Sequence, residues 1–113
     1  MKIIKESITI EELREMAKKM FGDLVKADID VEKETMIVDM ELHADGEARL
    51  IEEGSLQKNL WGINLYPAID GEDFIEFDSM INIRPGQGNR SRGVENEKIR
   101  KKITEIVGKL VKR

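Results

Sequence analysis

The alternation of apolar and polar residues changes period several times along this chain, and each change marks an element. Thr9-Ile10-Glu11-Glu12 has the form of a capping box, in which the Thr9 hydroxyl and the Glu12 carboxylate serve the free backbone donors of a helix start. Leu13, Met16, Ala17, Met20 and Phe21 follow at the three-and-four spacing of one helix face and Gly22 supplies a stop, which predicts a helix over 10–21. Ile3 and Ile4 ahead of it suit a short strand. From Leu24 the period becomes two: Val25, Ala27, Ile29 and Val31 alternate with Lys26, Asp28, Asp30 and Glu32, and Met36, Val38, Met40 and Leu42 alternate with Thr35, Ile37, Asp39 and Glu41. Parity predicts a hairpin turning at Lys33-Glu34, with Val31 opposite Met36, Ile29 opposite Val38 and Ala27 opposite Met40. All the apolar positions then share one face.

The second half of the chain repeats this logic with weaker signals. Asp45-Gly46 reads as a turn or helix cap, and residues 47–53 suit a short helix closed by Gly54. Leu60 to Tyr66 is expected as a strand with Trp61, Ile63 and Leu65 on one face, and residues 67–73 as a connection. Phe74 to Arg84 is expected as its partner, with Ser79 interrupting the apolar row and Asn82 and Arg84 facing outward. A glycine-rich loop follows, and Asn96 then caps a last helix over 97–112 whose Ile99, Ile103, Ile106, Val107 and Leu110 form a stripe. Strand, helix, hairpin, short helix, hairpin, helix is an α+β order. It predicts an antiparallel sheet of four to five strands built from two hairpins, with the two main helices packed on one face. At 113 residues the chain suffices for one domain and is too short for a second core.

Composition narrows the setting. There is no Cys, which excludes disulfides, thiolate metal sites and cysteine nucleophiles and fits a reducing cytosol. No apolar run approaches the roughly 20 residues needed to span a bilayer, so a soluble, cytoplasmic protein without a membrane partner is expected. A charged fraction of 37%, carried largely by Lys and Glu, suggests a thermophilic source. The net charge of −4 conceals a division, since residues 84–113 carry +7 and the remainder −11. Such asymmetry either attracts a polyanion or lets two parts of one domain neutralise each other. Any affinity for nucleic acid is expected to be weak, nonspecific and salt-sensitive.

The chemistry concentrates where the acid stops. Asn82 to Gly93 strings together Arg84, Arg90, Arg92, three glycines and the amides Gln87 and Asn89. Glycine lets backbone approach a ligand, and arginine forks match phosphate and carboxylate oxygens. The loop lacks the Gly-Lys-Ser/Thr of a Walker loop and the third glycine of a dinucleotide fingerprint, so no cofactor is implied. The alternative is a polar loop whose arginines clamp the acidic part of the domain. Upstream, Glu41, His43 and Asp45 stand two apart and would point one way on a strand, but a single His gives too few ligands for a metal to be expected. Gly62, within a strand beside the only Trp, hints at a close approach to its backbone.

The segments Leu42-His43-Ala44-Asp45, Leu60-Trp61-Gly62-Ile63-Asn64-Leu65-Tyr66-Pro67 and Ile81 to Ser91 resemble those of a small prokaryotic family known as a domain of unknown function. That resemblance implies no reaction, cofactor or partner; it directs attention to these three segments. The expected site gathers His43, Asp45, Asn64, Asn82, Arg84, Gln87, Asn89, Arg90 and Arg92 around an anionic ligand, whether nucleotide, metabolite or RNA backbone. Two alternatives remain open. One is an enzyme with His43 as acid or base, oriented by Asp45 or Glu41, and with the arginines stabilising negative charge. The other is an interaction protein that forms homodimers through an open sheet edge or its oppositely charged surfaces.

Overall fold

The computed structural model describes residues 1–113. Strand β1 (Lys2–Ile4) and the short β2 (Ile8–Thr9) precede helix α1 (Ile10–Lys19); β3 (Val25–Asp30) and β4 (Thr35–Val38) form the hairpin; helix α2 (His43–Glu52), β5 (Leu60–Leu65), β6 (Ile75–Glu76), helix α3 (Glu97–Leu110) and β7 (Val111–Lys112) complete the order. The main sheet is antiparallel throughout, in the order β1-β4-β3-β5-β6, and β2 pairs with β7 in a small parallel sheet. No helix is long and apolar enough to cross a membrane.

The expected caps appear where capping chemistry put them. The Thr9 hydroxyl accepts from the Glu12 amide at 3.1 Å, and Asn96 Oδ1 accepts from Lys98 and Ile99 amides. Gly22, at φ +93°, takes the left-handed conformation that ends α1, its N–H reaching Ala17 O at 2.6 Å. The helix stops two residues earlier than its apolar spacing suggests, leaving Met20 and Phe21 exposed.

Both faces of the sheet are covered. Ala27, Ile29, Met36, Val38, Trp61 and Ile63 join α1's Leu13 and Ala17 and α3's Ile103, Ile106, Val107 and Leu110 in the larger core. The intervening positions Ile37 and Leu60 pack with Met40 and with Leu50 of α2 in a smaller one. Asp28 and Asp30, expected on a wet face, are therefore enclosed at 0% and 1% exposure.

The hairpin keeps the expected parity but shifts by two residues. Ile29 lies opposite Met36 and Ala27 opposite Val38, while Val31 has left the strand. The cause is the Asp30 carboxylate. Its Oδ1 accepts from the Glu32 and Lys33 amides, both at 2.9 Å, while Glu34 adopts φ +57°. These bonds stabilise a wider turn than a two-residue one. Its Oδ2 accepts from the Ser55 hydroxyl at 2.6 Å, tying the turn to the exit of α2.

The largest departure is the segment expected as a strand over 74–84. Only Ile75 and Glu76 pair with β5, opposite Leu65 and Asn64. Beyond them the chain turns through Met80–Asn82 and Pro85–Gln87, and side chains take over the edge of β5. Asn82 Oδ1 accepts from the Gly62 N–H at 2.8 Å and its Nδ2 donates to Gly62 O at 2.9 Å, the two bonds a neighbouring strand would supply. The Arg84 guanidinium then donates to Gln57 O and Leu60 O and stacks on the Trp61 ring, 4.2 Å from its centroid.

The −11 and +7 parts do meet. Glu34 pairs with Lys102 at 3.0 Å and Lys109 at 3.2 Å, Asp70 with Arg113 at 2.8 Å, and Asp78 with Arg92 at 2.6 Å. Such partly exposed pairs contribute about 0–1 kcal/mol each, so they neutralise charge more than they hold the fold.

Helix α2 lies close over β3 because Gly46 has no side chain. A Cβ there would stand 2.5 Å from Asp28 Oδ2 and 2.8 Å from Met40 Cε. Neither Asp28 oxygen has a hydrogen-bond partner, and Glu47 Oε2 is likewise enclosed without one. Burial, helped by the charge of Glu47, pushes the Asp28 carboxyl up to about 9, so it is a neutral acid in the fold at neutral pH.

Two outcomes follow from these contacts. Asn82→Ala leaves both backbone groups of Gly62 unpaired in the interior and should cost about 2–4 kcal/mol, read as a fall in the urea midpoint at constant slope. The Asp28 carboxyl, raised from 3.8 to about 9, holds a proton that the unfolded chain gives up, so stability declines as pH rises through this window and levels off above it. The decline reaches up to about 1.4 kcal/mol per pH unit. His43, held below 6.5 in the fold, is still partly protonated in the unfolded chain at about pH 7 and adds a small opposing slope that fades by about pH 7.5 to 8. Thermal melts between about pH 7.5 and 9 should show a falling Tm in the wild type and a flatter profile for Asp28→Asn.

Candidate functional site

A cleft of about 190 Å³ opens between the start of α2, β3, β5 and the 78–81 turn; Lys26, His43, Asn64, Asp78, Ser79 and Arg92 supply its polar lining. Three of these, His43, Asn64 and Arg92, belong to the expected site. Larger hollows of about 620 and 420 Å³ run along α3, where Arg100 stacks on Phe77 and Arg113 stacks on Phe74 and pairs with Asp70, and one of about 310 Å³ is lined in part by Trp61, Gln87 and Asn89.

His43 is the first residue of α2 and not a strand-end residue, so Glu41, His43 and Asp45 do not form a row on one strand face. The residue is 8% exposed, and its ring Nε2 lies 2.9 Å from Ile63 O, a pure acceptor. Nε2 must therefore carry the hydrogen, leaving the lone pair on Nδ1. Nδ1 has no hydrogen-bond partner and is not fully enclosed, and His43 is one of the residues that line the cleft. Burial is the main cause that holds the imidazole below its ordinary 6.5, and the charges of Lys26 and Arg92 act in the same direction.

Gly62 explains how this ring comes so near the sheet. A Cβ on Gly62 would lie 2.6 Å from Ser79 Cβ and Oγ and 3.1 Å from His43 Cδ2. The close approach suggested by a glycine inside a strand is thus made by two side chains of the cleft. Ser79 Oγ accepts from the Ile81 amide at 3.3 Å, which leaves its proton available. Asn64 donates to Glu76 Oε1 at 2.8 Å and to Asp78 O, which fixes the amide's orientation, and its Oδ1 is enclosed without a partner.

The electrostatics of the cleft favour an anion. Lys26 and Arg92 outweigh Asp78; the Lys26 ammonium also lies over the Phe21 ring, 5.1 Å from its centroid, and the Asp78 carboxylate is taken up by Arg92 Nε at 2.6 Å, leaving the terminal guanidinium nitrogens without a hydrogen bond. Leu42, the N-cap of α2, has no side chain able to accept from the helix's first amides, and Leu42, His43 and Ala44 all line the cleft. Uncapped leading amides carry a partial positive charge toward it. Exposed Leu42 and Met80 form an apolar rim.

The other expected site residues lie outside the cleft, and four of them, Asn82, Arg84, Gln87 and Asn89, are occupied within the protein. Asn82 and Arg84 complete the edge of β5. Asn89 donates to the carbonyls of Asn82, Ser91 and Gly93 and accepts from the Glu95 amide, a hub that sets the loop's shape. Gln87 donates to Lys58 O. The loop does hold an anion, but its own: the Arg90 and Ser91 amides bind the Glu95 carboxylate at 2.7 and 2.8 Å and keep it below its ordinary pKa. Asp45 is exposed in the first turn of α2, and the Arg90 side chain is exposed on the loop. The arginine clamp is real but grips carbonyls, through Arg84, more than acids.

Lys26, Asp78 and Ser79 were missing from the expected set. Ser79 was visible as the residue breaking an apolar row, and Lys26 as the polar partner of two apolar neighbours, but only the β3–β5 register sets Lys26 beside Asn64. No group of three or more His, Asp or Glu is placed to hold a metal ion.

The model of the family described as "Protein of unknown function (DUF5674)" matches residues 2–110, and the chain belongs to that family. No curated protein and no solved structure matches it.

Proposed function

We propose that this DUF5674 member binds a small phosphate- or carboxylate-bearing molecule in the cleft at the start of α2. One observation carries the reading: the uncapped end of α2, Lys26 and Arg92 meet around two nearly buried polar side chains, His43 and Asn64, each with an unpartnered atom. Lys26 and Arg92 would meet the anionic group of such a ligand, while the His43 Nδ1 lone pair, an acceptor, would meet a hydroxyl or other donor on the same molecule. The volume, about 190 Å³, suits a small anionic group or compact metabolite. The rim of Leu42 and Met80, 57% and 65% exposed, offers apolar contact to an organic portion.

A catalytic use of the same cleft is favoured by the state of His43, which is neutral, fixed in one tautomer and open at Nδ1. Its orienting partner is the Ile63 carbonyl, in place of the expected Asp45 or Glu41.

Inorganic phosphate titrated into ¹⁵N-labelled protein should shift the amides of Leu42 to Asp45 and the Arg92 Nε–H signal, while the Gly86 to Ser91 amides, already held internally, stay in place. Lys26→Ala and Arg92→Ala should each weaken binding by about 1–3 kcal/mol with little change in stability. Shifts confined to the glycine-rich loop, or none at all, would sink this assignment.

A further inference from the structure

We infer that His43 Nδ1 is a phosphoryl acceptor, and that the cleft serves transfer of a phosphoryl group from a small acyl phosphate through a phosphohistidine on this chain. The inference rests on the anion-binding reading above and gives it a substrate class.

Four features of the cleft fit this chemistry together. The nucleophile is already unprotonated, because Nε2–H is committed to Ile63 O. A group attached to Nδ1 would lie beside the first residue of α2, where leading amides without a cap favour negative charge. Lys26 and Arg92 line the same space, with the Arg92 terminal nitrogens free to meet equatorial phosphoryl oxygens. The partner of Nε2 is a neutral carbonyl and not a carboxylate. That carbonyl fixes the ring's orientation and tautomer and leaves the lone pair on Nδ1.

The step balances without a further reagent. The Nδ1 lone pair forms the N–P bond while the P–O bond to the acyl group breaks, and a carboxylate leaves with the electron pair. The product is a phosphoimidazolium whose Nε2–H remains on Ile63 O. Onward transfer reverses the bookkeeping: an acceptor oxygen attacks phosphorus, the N–P electrons return to Nδ1, and the acceptor's proton passes to solvent.

His43 is the chain's only histidine, so modification is assigned without ambiguity. Incubating the intact protein with acetyl phosphate should give an acid-labile, alkali-stable mass increment of one phosphoryl group, and ¹⁵N–³¹P correlation should place it on Nδ1. Lys26→Ala and Arg92→Ala should slow the reaction about tenfold or more, matching the loss of one charge-stabilising contact. Attachment at Nε2, or a rate equal to that of a short histidine peptide, would overturn the inference. Phosphate binding measured on the same samples separates the two readings: binding without Nδ1 phosphorylation removes only the transfer chemistry, whereas absence of both removes the anion site as well.

Discussion

The open edge of β5 is the constraint on which the rest of this structure turns. Strand β6 covers it opposite only Asn64 and Leu65, and an uncovered ladder inside a protein leaves backbone groups without partners. The Asn82 amide meets both groups of Gly62, and Arg84 meets the carbonyls of Leu60 and Gln57. Because these partners are side chains, the backbone that carries them is free to turn. It does so through Ser79 and returns at Arg92, whose carbonyl accepts from Asn82 Nδ2 at 2.9 Å. Two lining residues of the cleft are therefore placed by the same bonds that finish the sheet.

The opposite wall is set by a second compromise. Gly46 lets α2 settle on β3 closely enough to bury Asp28 without a partner, an expense accepted in stability across neutral pH. The same closeness brings His43 down to the Ile63 carbonyl, above a glycine that leaves room for it. The buried atoms without partners extend beyond the cleft: Asp28 and Glu47 at the contact of α2 with β3, Trp61 Nε1 and Arg84 Nε near the edge of β5, and Asn64 Oδ1 in the cleft lining itself.

Much of the fold was legible, and the reasons for the failures are physical. Helices α1 and α3 were announced by Thr9, Asn96 and their apolar stripes, because caps and periodicity are local properties. Strand parity survived for the same reason, while register depended on what Asp30 did with its carboxylate. The start of α2 was hidden because Leu42 is not a capping residue and Gly46, a packing glycine, imitates a turn. The arginine loop was misleading in a more general way: residue type shows that Asn82, Arg84 and Asn89 can make several hydrogen bonds, but not whether a ligand or the protein's own carbonyls receive them. Of the candidate site, His43, Asn64 and Arg92 were identifiable from sequence; their assembly with Lys26 and Ser79 required the sheet order.

The small parallel pairing of β2 with β7 reaches across almost the full described sequence, joining Ile8–Thr9 to Val111–Lys112. Helix α1 follows β2 directly and α3 runs directly into β7, so this one pairing is a shared anchor for both helices of the larger core. Fraying at either end of the described chain therefore loosens the far end as well, and the two ends of the sequence behave as one mechanical unit.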